Sequence, residues 1–154
     1  MAMNVAAHYP DKPRLLAAMV DLAVEELNHY REVMKLLIAR GVQPRPDAKD
    51  PYVNALNKQI RKGPQTYLLD RLTVGAVVER RGAERFALIA AHIEDAQLAQ
   101  FYRAIAASED RHWILFVDLA REYYPASDVV TRFNELAAYE AQLLATLPHR
   151  ASLH

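Results

Sequence analysis

Apolar residues along this chain recur at intervals of three and four, the period of an α-helix, while the alternation of a strand is hard to find. The stretch "DKPRLLAAMVDLAVEELNHYREVMKLLIARG" predicts a long helix over about 12–40, with Asp11 as N-cap, Pro13 in the first turn and Gly41 as its stop. "VQPRPDAKDP" reads as a loop, because three prolines cannot sit inside a helix. "YVNALNKQIRKG" predicts a short helix closed by Gly63, and two further long helices are predicted over about 65–91 and 95–124, the second followed by Pro125. "SDVVTRFNELAAYEAQLLATL" predicts a last helix capped by Ser127, and residues 149–154 a frayed tail. With no repeat and no low-complexity tract, the chain is expected to be one all-α domain over residues 1–154, a helical bundle whose opening residues 1–10 are the stub of a helix.

The polar residues on the apolar stripes change the picture. Around Glu26 the stripe reads Met19, Leu22, Ala23, Glu26, His29, Tyr30, Val33 and Leu37. On the helix 95–124 it reads Leu98, Phe101, Tyr102, Ile105, Glu109, His112, Phe116 and Leu119. Both Glu-x-x-His pairs therefore face the core, where a carboxylate without compensation costs several kcal/mol. On the helix between them Glu79 sits among Leu72, Gly75, Ala76, Gly82, Ala83 and Phe86. Glycines inside a helix cost about 0.5–1 kcal/mol each relative to Ala, so they suggest that space is needed there. Two explanations compensate such carboxylates, a metal or a buried salt-bridge network.

Glu and His three apart project about 60° from each other and about 4.5 Å along the axis, so the imidazole can hold one ion while its carboxylate bridges to a second. A Glu from each of two helices and a Glu-x-x-His from each of two others is the ligand set of di-iron and di-manganese bundles. Oxygen ligands with two imidazoles suit iron, with manganese second, better than copper or structural zinc. Five of six such ligands are visible: Glu26, His29, Glu79, Glu109 and His112. No acidic residue precedes Asp11 to supply a sixth. Glu25 and Glu32 are expected to face water. Glu84, about 140° round the helix from Glu79, is expected to lie behind the site or pair with an Arg. His8, His92, His149 and His154 are expected at the surface, and Phe101, Trp113 and Phe116 in the core.

Composition narrows the classes further. The chain is 52% hydrophobic and carries 19 basic and 19 acidic residues, so no global field favours nucleic acid or membrane. The absence of Cys excludes disulfides, thiolate zinc sites, iron–sulfur clusters and thiolate haem, and is compatible with the cytoplasm. No apolar run approaches a membrane span, and "MAMNVAAHYP" does not read as a signal peptide.

The stretches "DPYVNALNKQIRKG", "VERRGAERF" and "ASEDRH", with the long helix that carries Glu26 and His29, resemble the bacterial tRNA hydroxylases that act on 2-methylthio-isopentenyl-adenosine, over essentially the whole chain. The resemblance implies a ferritin-like four-helix bundle with additional short helices and a non-haem di-iron centre. It implies dioxygen-dependent hydroxylation of the isopentenyl group in tRNA, with electrons from an external reductase. Motif by motif, the iron ligands fall on Glu26, His29, Glu79, Glu109 and His112. Members of that family begin with a further helix carrying the first Glu ligand, which makes the first bundle helix truncated here and leaves the activity of the shortened chain open. Lys58, Arg61 and Lys62, with Arg80, Arg81 and Arg85, are candidate contacts to tRNA phosphates or a solvated face. The readings weighed against this one are a ferritin-like iron-storage or peroxide-handling protein, and an inactive truncated member of the family. Membrane is not expected as a partner, and the oligomeric state is left open.

Overall fold

The computed structural model describes residues 1–44, 46 and 49–148. Parts of the predicted 42–51 loop, the tail 149–154, His149 and His154 lie outside the described residues. Six helices run α1 Ala2–His8, α2 Pro13–Ala39, α3 Pro51–Asn57, α4 Tyr67–His92, α5 Ala96–Tyr123 and α6 Ala126–Thr146, with no strand among the described residues. None of these helices is long and apolar enough to cross a membrane. The chain divides into two compact units, residues 1–49 and 50–154.

In the first unit α1 packs on α2, and Ala2, Val5, Ala6, Leu15, Met19 and Leu22 are buried. Seven residues of α1 span about 10 Å and the 27 of α2 about 40 Å, so α1 can cover only a fraction of its neighbour. Two positions of the predicted apolar stripe fall outside any core: Tyr30 is 62% exposed and Val33 39%. The predicted Asp11 cap is also not made. Lys12 is the N-cap residue without a side-chain cap, Pro13 opens the helix, and the Asp11 carboxylate lies 3.5 Å from Lys12 Nζ. Gly41 ends α2 as predicted, through its backbone conformation: φ is +66°, Gly41 N–H donates to Ile38 O at 3.0 Å and Val42 N–H to Leu37 O at 2.9 Å.

In the second unit α4 and α5 lie side by side, joined by three residues, which makes them an antiparallel hairpin. Asp95 caps α5, its carboxylate accepting from Gln97 N–H and Leu98 N–H at 2.9 and 3.0 Å. α6 and α3 close on α4 around Tyr52, Leu56, Val74, Val77 and Leu136. Phe116 is fully buried as predicted, while Phe101 and Trp113 are only part-buried. α6 begins one residue before the predicted Ser127 cap. Pro125 takes the cap position, and the Ser127 hydroxyl turns to Asp128 Oδ1 at 3.2 Å.

Two buried carboxylates tie this unit together. Asp70 on α4 is fully buried and accepts from Arg61 Nε at 2.9 Å and Nη2 at 2.7 Å, from Arg61 N–H at 2.8 Å, and from Arg132 Nε at 2.9 Å. The capture of the Arg61 amide explains why α3 stops at Asn57 instead of continuing to Gly63: the backbone N–H that would extend the helix is turned to Asp70. Glu140 on α6 is 2% exposed and takes a bidentate pair from Arg81, 2.7 and 2.8 Å, plus the Tyr52 hydroxyl at 3.1 Å. Burial pushes the Tyr52 phenol well up, and the Glu140 carboxylate beside it adds to the shift.

Burial alone would raise the Asp70 pKa, but the hydrogen bonds from Arg61 and Arg132 outweigh it and hold the carboxyl below its usual range. A depressed folded-state pKa gives stability that is full above the unfolded value of about 3.9 and is lost as pH falls through the folded one. Replacing Asp70 with Asn is expected to cost about 3 kcal/mol at neutral pH, because two cations lose their shared anion. In urea unfolding the gap between the two proteins closes as pH is lowered below about 4; a gap independent of pH would contradict the charge pairing.

Candidate metal centre

Side by side, α4 and α5 bring three of the expected ligands together. Glu109 and His112 lie one turn apart on α5 and are 7% and 3% exposed, with Glu109 Oε2 3.5 Å from His112 Nδ1. Glu79 on α4 is part-buried, and a carboxylate oxygen of Glu79, one of Glu109 and a ring nitrogen of His112 lie within 4.8 Å of one another. These residues reach their places because the three-residue spacing holds Glu109 and His112 on one face of α5, and Ile105, Phe116 and Leu119 bury that face.

Two carboxylates so close to each other repel when both are ionised, and burial sharpens that repulsion. A divalent cation reverses the sign of the interaction, and oxygen donors with imidazole fit iron or manganese. The donor set therefore fits such an ion. On its other side His112 is oriented by Ser108, whose hydroxyl lies 3.4 Å from Nε2 and is itself approached by Arg111 Nη2 at 3.1 Å.

Within the first unit the sister pair repeats the arrangement on α2: His29 Nδ1 lies 3.8 Å from Glu26 Oε2. The Glu26 side chain is 44% exposed and that of His29 21%, so this pair is less enclosed than its counterpart on α5. Glu84 points away from Glu79 and pairs with Arg81 at 2.6 Å and Arg80 at 3.5 Å, the second of the two roles the spacing allowed.

At Gly82 the helix leaves room for a methyl group beside Glu109. A Cβ there would meet Glu109 Cγ and Phe86 Cε2 at 3.8 Å, an ordinary van der Waals distance. Among the cations named from sequence, Lys58 and Lys62 are exposed. Arg61 is held by Asp70, Arg80 lies 5.9 Å over the Trp113 and Phe133 rings, and Arg85 lies 5.5 Å over Tyr52.

Sequence reasoning missed Asp70 and Glu140, although the signal was present. Glu140 follows Phe133 and Leu136 along α6 as Glu79 follows Leu72 along α4. A carboxylate on an apolar stripe reports burial. Whether arginine or metal compensates it depends on which helix lies opposite, and that is a tertiary fact.

Comparison with known proteins was consistent across sequence and structure. All of residues 1–154 match the family described as tRNA-(MS[2]IO[6]A)-hydroxylase (MiaE). The chain belongs to this family. A Pseudomonas putida protein named tRNA 2-(methylsulfanyl)-N(6)-isopentenyladenosine(37) hydroxylase is 33% identical over 153 residues, 99% of this chain and 74% of that protein. A Salmonella typhimurium protein of the same name is 30% identical over 141 residues, 92% of this chain and 52% of that protein, so the chain spans about half of its length. Among solved structures, "Protein 43 with aldehyde deformylating oxygenase activity from Synechococcus" superposes with a TM-score of 0.90 at 36% identity, over 99% of this chain and 75% of that one. The fold is thus the all-α, ferritin-like one that the helical period and the motifs indicated.

Because the Gly82 position has room, Gly82→Ala is expected to stabilise the protein by about 0.5–1 kcal/mol in thermal or urea unfolding. Metal uptake by the variant should match that of the unsubstituted chain. Destabilisation would mean that the α4–α5 approach is closer than 3.8 Å at this point.

Proposed function

We propose that the chain hydroxylates the isopentenyl group of 2-methylthio-isopentenyl-adenosine in tRNA, with dioxygen as co-substrate and two iron ions held by Glu26, His29, Glu79, Glu109 and His112. The observation that carries this reading is the gathering of Glu79, Glu109 and His112 on adjoining helices of a member of the tRNA-(MS[2]IO[6]A)-hydroxylase family. Glu26 and His29 enter by their repetition of the α5 spacing and by the family motifs.

When bound, the two ions would supply the reduction of dioxygen by two electrons, one oxygen atom entering the substrate C–H bond and the other leaving as water. The residues of the chain supply the rest. Glu109 and His112 are fixed to a buried helix face, so their donor atoms need little reordering on loading. Ser108 holds the far side of the imidazole and so sets the nitrogen it offers. The apolar neighbours Ile105 and Phe116 exclude water from that face. The chain has no Cys in which to store electrons, so an external reductase is part of the proposal. Lys58, Arg61, Lys62, Arg80 and Arg85 are the proposed phosphate contacts, with Lys58 and Lys62 the most readily available. The target adenosine must be unstacked to reach a buried centre. A tRNA substrate places the reaction in the cytoplasm.

The Synechococcus neighbour motivates a second reading, in which a similar centre oxygenates an aldehyde. Anaerobic loading with ferrous iron, followed by removal of the excess, is expected to leave about two irons per chain, and Glu79→Ala or His112→Ala to remove at least one. Exposed to dioxygen and reductant, the loaded protein should add one oxygen atom to the modified nucleoside of hypomodified tRNA and leave an aldehyde unchanged. Turnover of the aldehyde alone would select the second reading. Multi-iron loading with dioxygen consumption indifferent to tRNA would point to storage. No bound iron in a folded chain would end the enzyme proposal.

A further inference from the structure

Helix α2 is apolar on two faces, and only one of them is buried. Leu15, Met19 and Leu22 lie on the covered face, which continues one and two turns later to Glu26 and His29. A second stripe follows Val20, Val24, Leu27, Arg31, Met34 and Ile38, with intervals of four, three, four, three and four. That is the 3.5-residue repeat of a coiled-coil seam, about 27 Å long at 1.5 Å per residue. It is open to solvent: Val20 is 41% exposed, Val24 57%, Leu27 67% and Ile38 72%. A helix with two apolar faces requires two partners.

We infer that the second partner is the same face of α2 in another copy of this chain, running antiparallel. The flank of the seam is complementary in charge to itself in that orientation. Asp21, Asn28 and Lys35 recur every seven residues beside it and are all exposed. A two-fold axis perpendicular to two antiparallel helices brings the same flank of each together in opposite directions. With the axis at Asn28, each Asp21 meets Lys35 of the second copy, since both lie seven residues from the centre, and the two Asn28 amides meet each other. On the seam itself Val20 then neighbours Ile38, Val24 neighbours Met34 and Leu27 neighbours Arg31 of the second copy, each pair offset by two residues, about 3 Å along the axis. The parallel arrangement would instead stack the two Arg31 side chains at one level of the seam, a like-charge contact that disfavours it. Lys35, paired with Glu32 at 2.8 Å in the single chain, exchanges one exposed carboxylate for another on association. Glu26 and His29 lie on the other side of α2 and stay clear of the seam.

Sedimentation velocity of residues 1–154 over a micromolar concentration series is expected to show a species of twice 17.5 kDa. Leu27→Glu should give a monomer with an unchanged helical circular dichroism spectrum. Asp21→Lys, a surface change that leaves the fold alone, should weaken the dimer about tenfold by turning two attractions into repulsions, and Asp21→Lys combined with Lys35→Asp should restore it. A monomer at every concentration, or a dimer indifferent to Leu27→Glu, overturns the inference. Failure of the double swap to restore association overturns the antiparallel register. A chain that stays monomeric but co-sediments with anionic lipid vesicles assigns the face to a membrane surface and overturns the proposal as well.

Discussion

The cost of placing carboxylates among apolar side chains governs this structure more than any other single constraint. Four helices carry an acidic residue where the pattern calls for a Leu: Glu26 on α2, Asp70 and Glu79 on α4, Glu109 on α5 and Glu140 on α6. Each is tolerable only with a counter-charge or a set of donors, because an uncompensated ion in such a setting costs several kcal/mol. Two kinds of compensation are visible. Asp70 and Glu140 receive arginines in short, multiply bonded pairs. Glu79 and Glu109 are instead drawn together with an imidazole, an arrangement that makes sense around a cation.

The two kinds of compensation divide the labour within residues 50–154. Arg61, Asp70 and Arg132 fasten the start of α4 to α6, and Arg81, Glu140 and Tyr52 fasten its middle to α6 and α3. Arg81 is two residues from Glu79, so the arginine pair that anchors α4 also fixes the helix rotation that presents Glu79 to α5. Positions of metal-ligand atoms need to be held to a fraction of an ångström, and a helix pinned by bidentate pairs meets that demand better than one held by apolar contact alone.

Much of this was legible in the sequence, because the relevant signal is local. The helical period places α2, α4, α5 and α6 to within one or two residues, and the same period puts Glu109 and His112 on the buried face of α5. Gly41 was legible because a left-handed residue after a helix is a local demand. The failures have two causes, a partner elsewhere in the chain and a proline beside the expected cap. Asp70 takes the Arg61 amide and ends α3 early, and nothing within "YVNALNKQIRKG" announces it. The Asp11 and Ser127 caps were displaced by one or two residues because Pro13 and Pro125 set where each helix can begin. Glu140 carries the stripe signal of a metal ligand and turns out to serve Arg81.

Tyr30 shows how an amphipathic reading fails when a helix has more than one apolar side, whereas Val33, five full turns from Leu15 on the same face, lies beyond the reach of the short α1. A single stripe drawn through Glu26 absorbs residues that belong to different faces, and the exposed Tyr30 lies towards the seam through Val24 and Leu27. Separating the faces gives α2 two assignments that do not compete. The side bearing Leu15, Met19, Leu22, Glu26 and His29 combines core and proposed ligand positions, as α5 does with Ile105, Glu109, His112 and Phe116. The seam carries no ligand-type residue and a repeat of 3.5, the period of helix pairing and not that of a surface helix on a globular core. Two such faces on one helix allow association and metal chemistry to be altered independently by substitution, since a change at Leu27 leaves every proposed ligand in place.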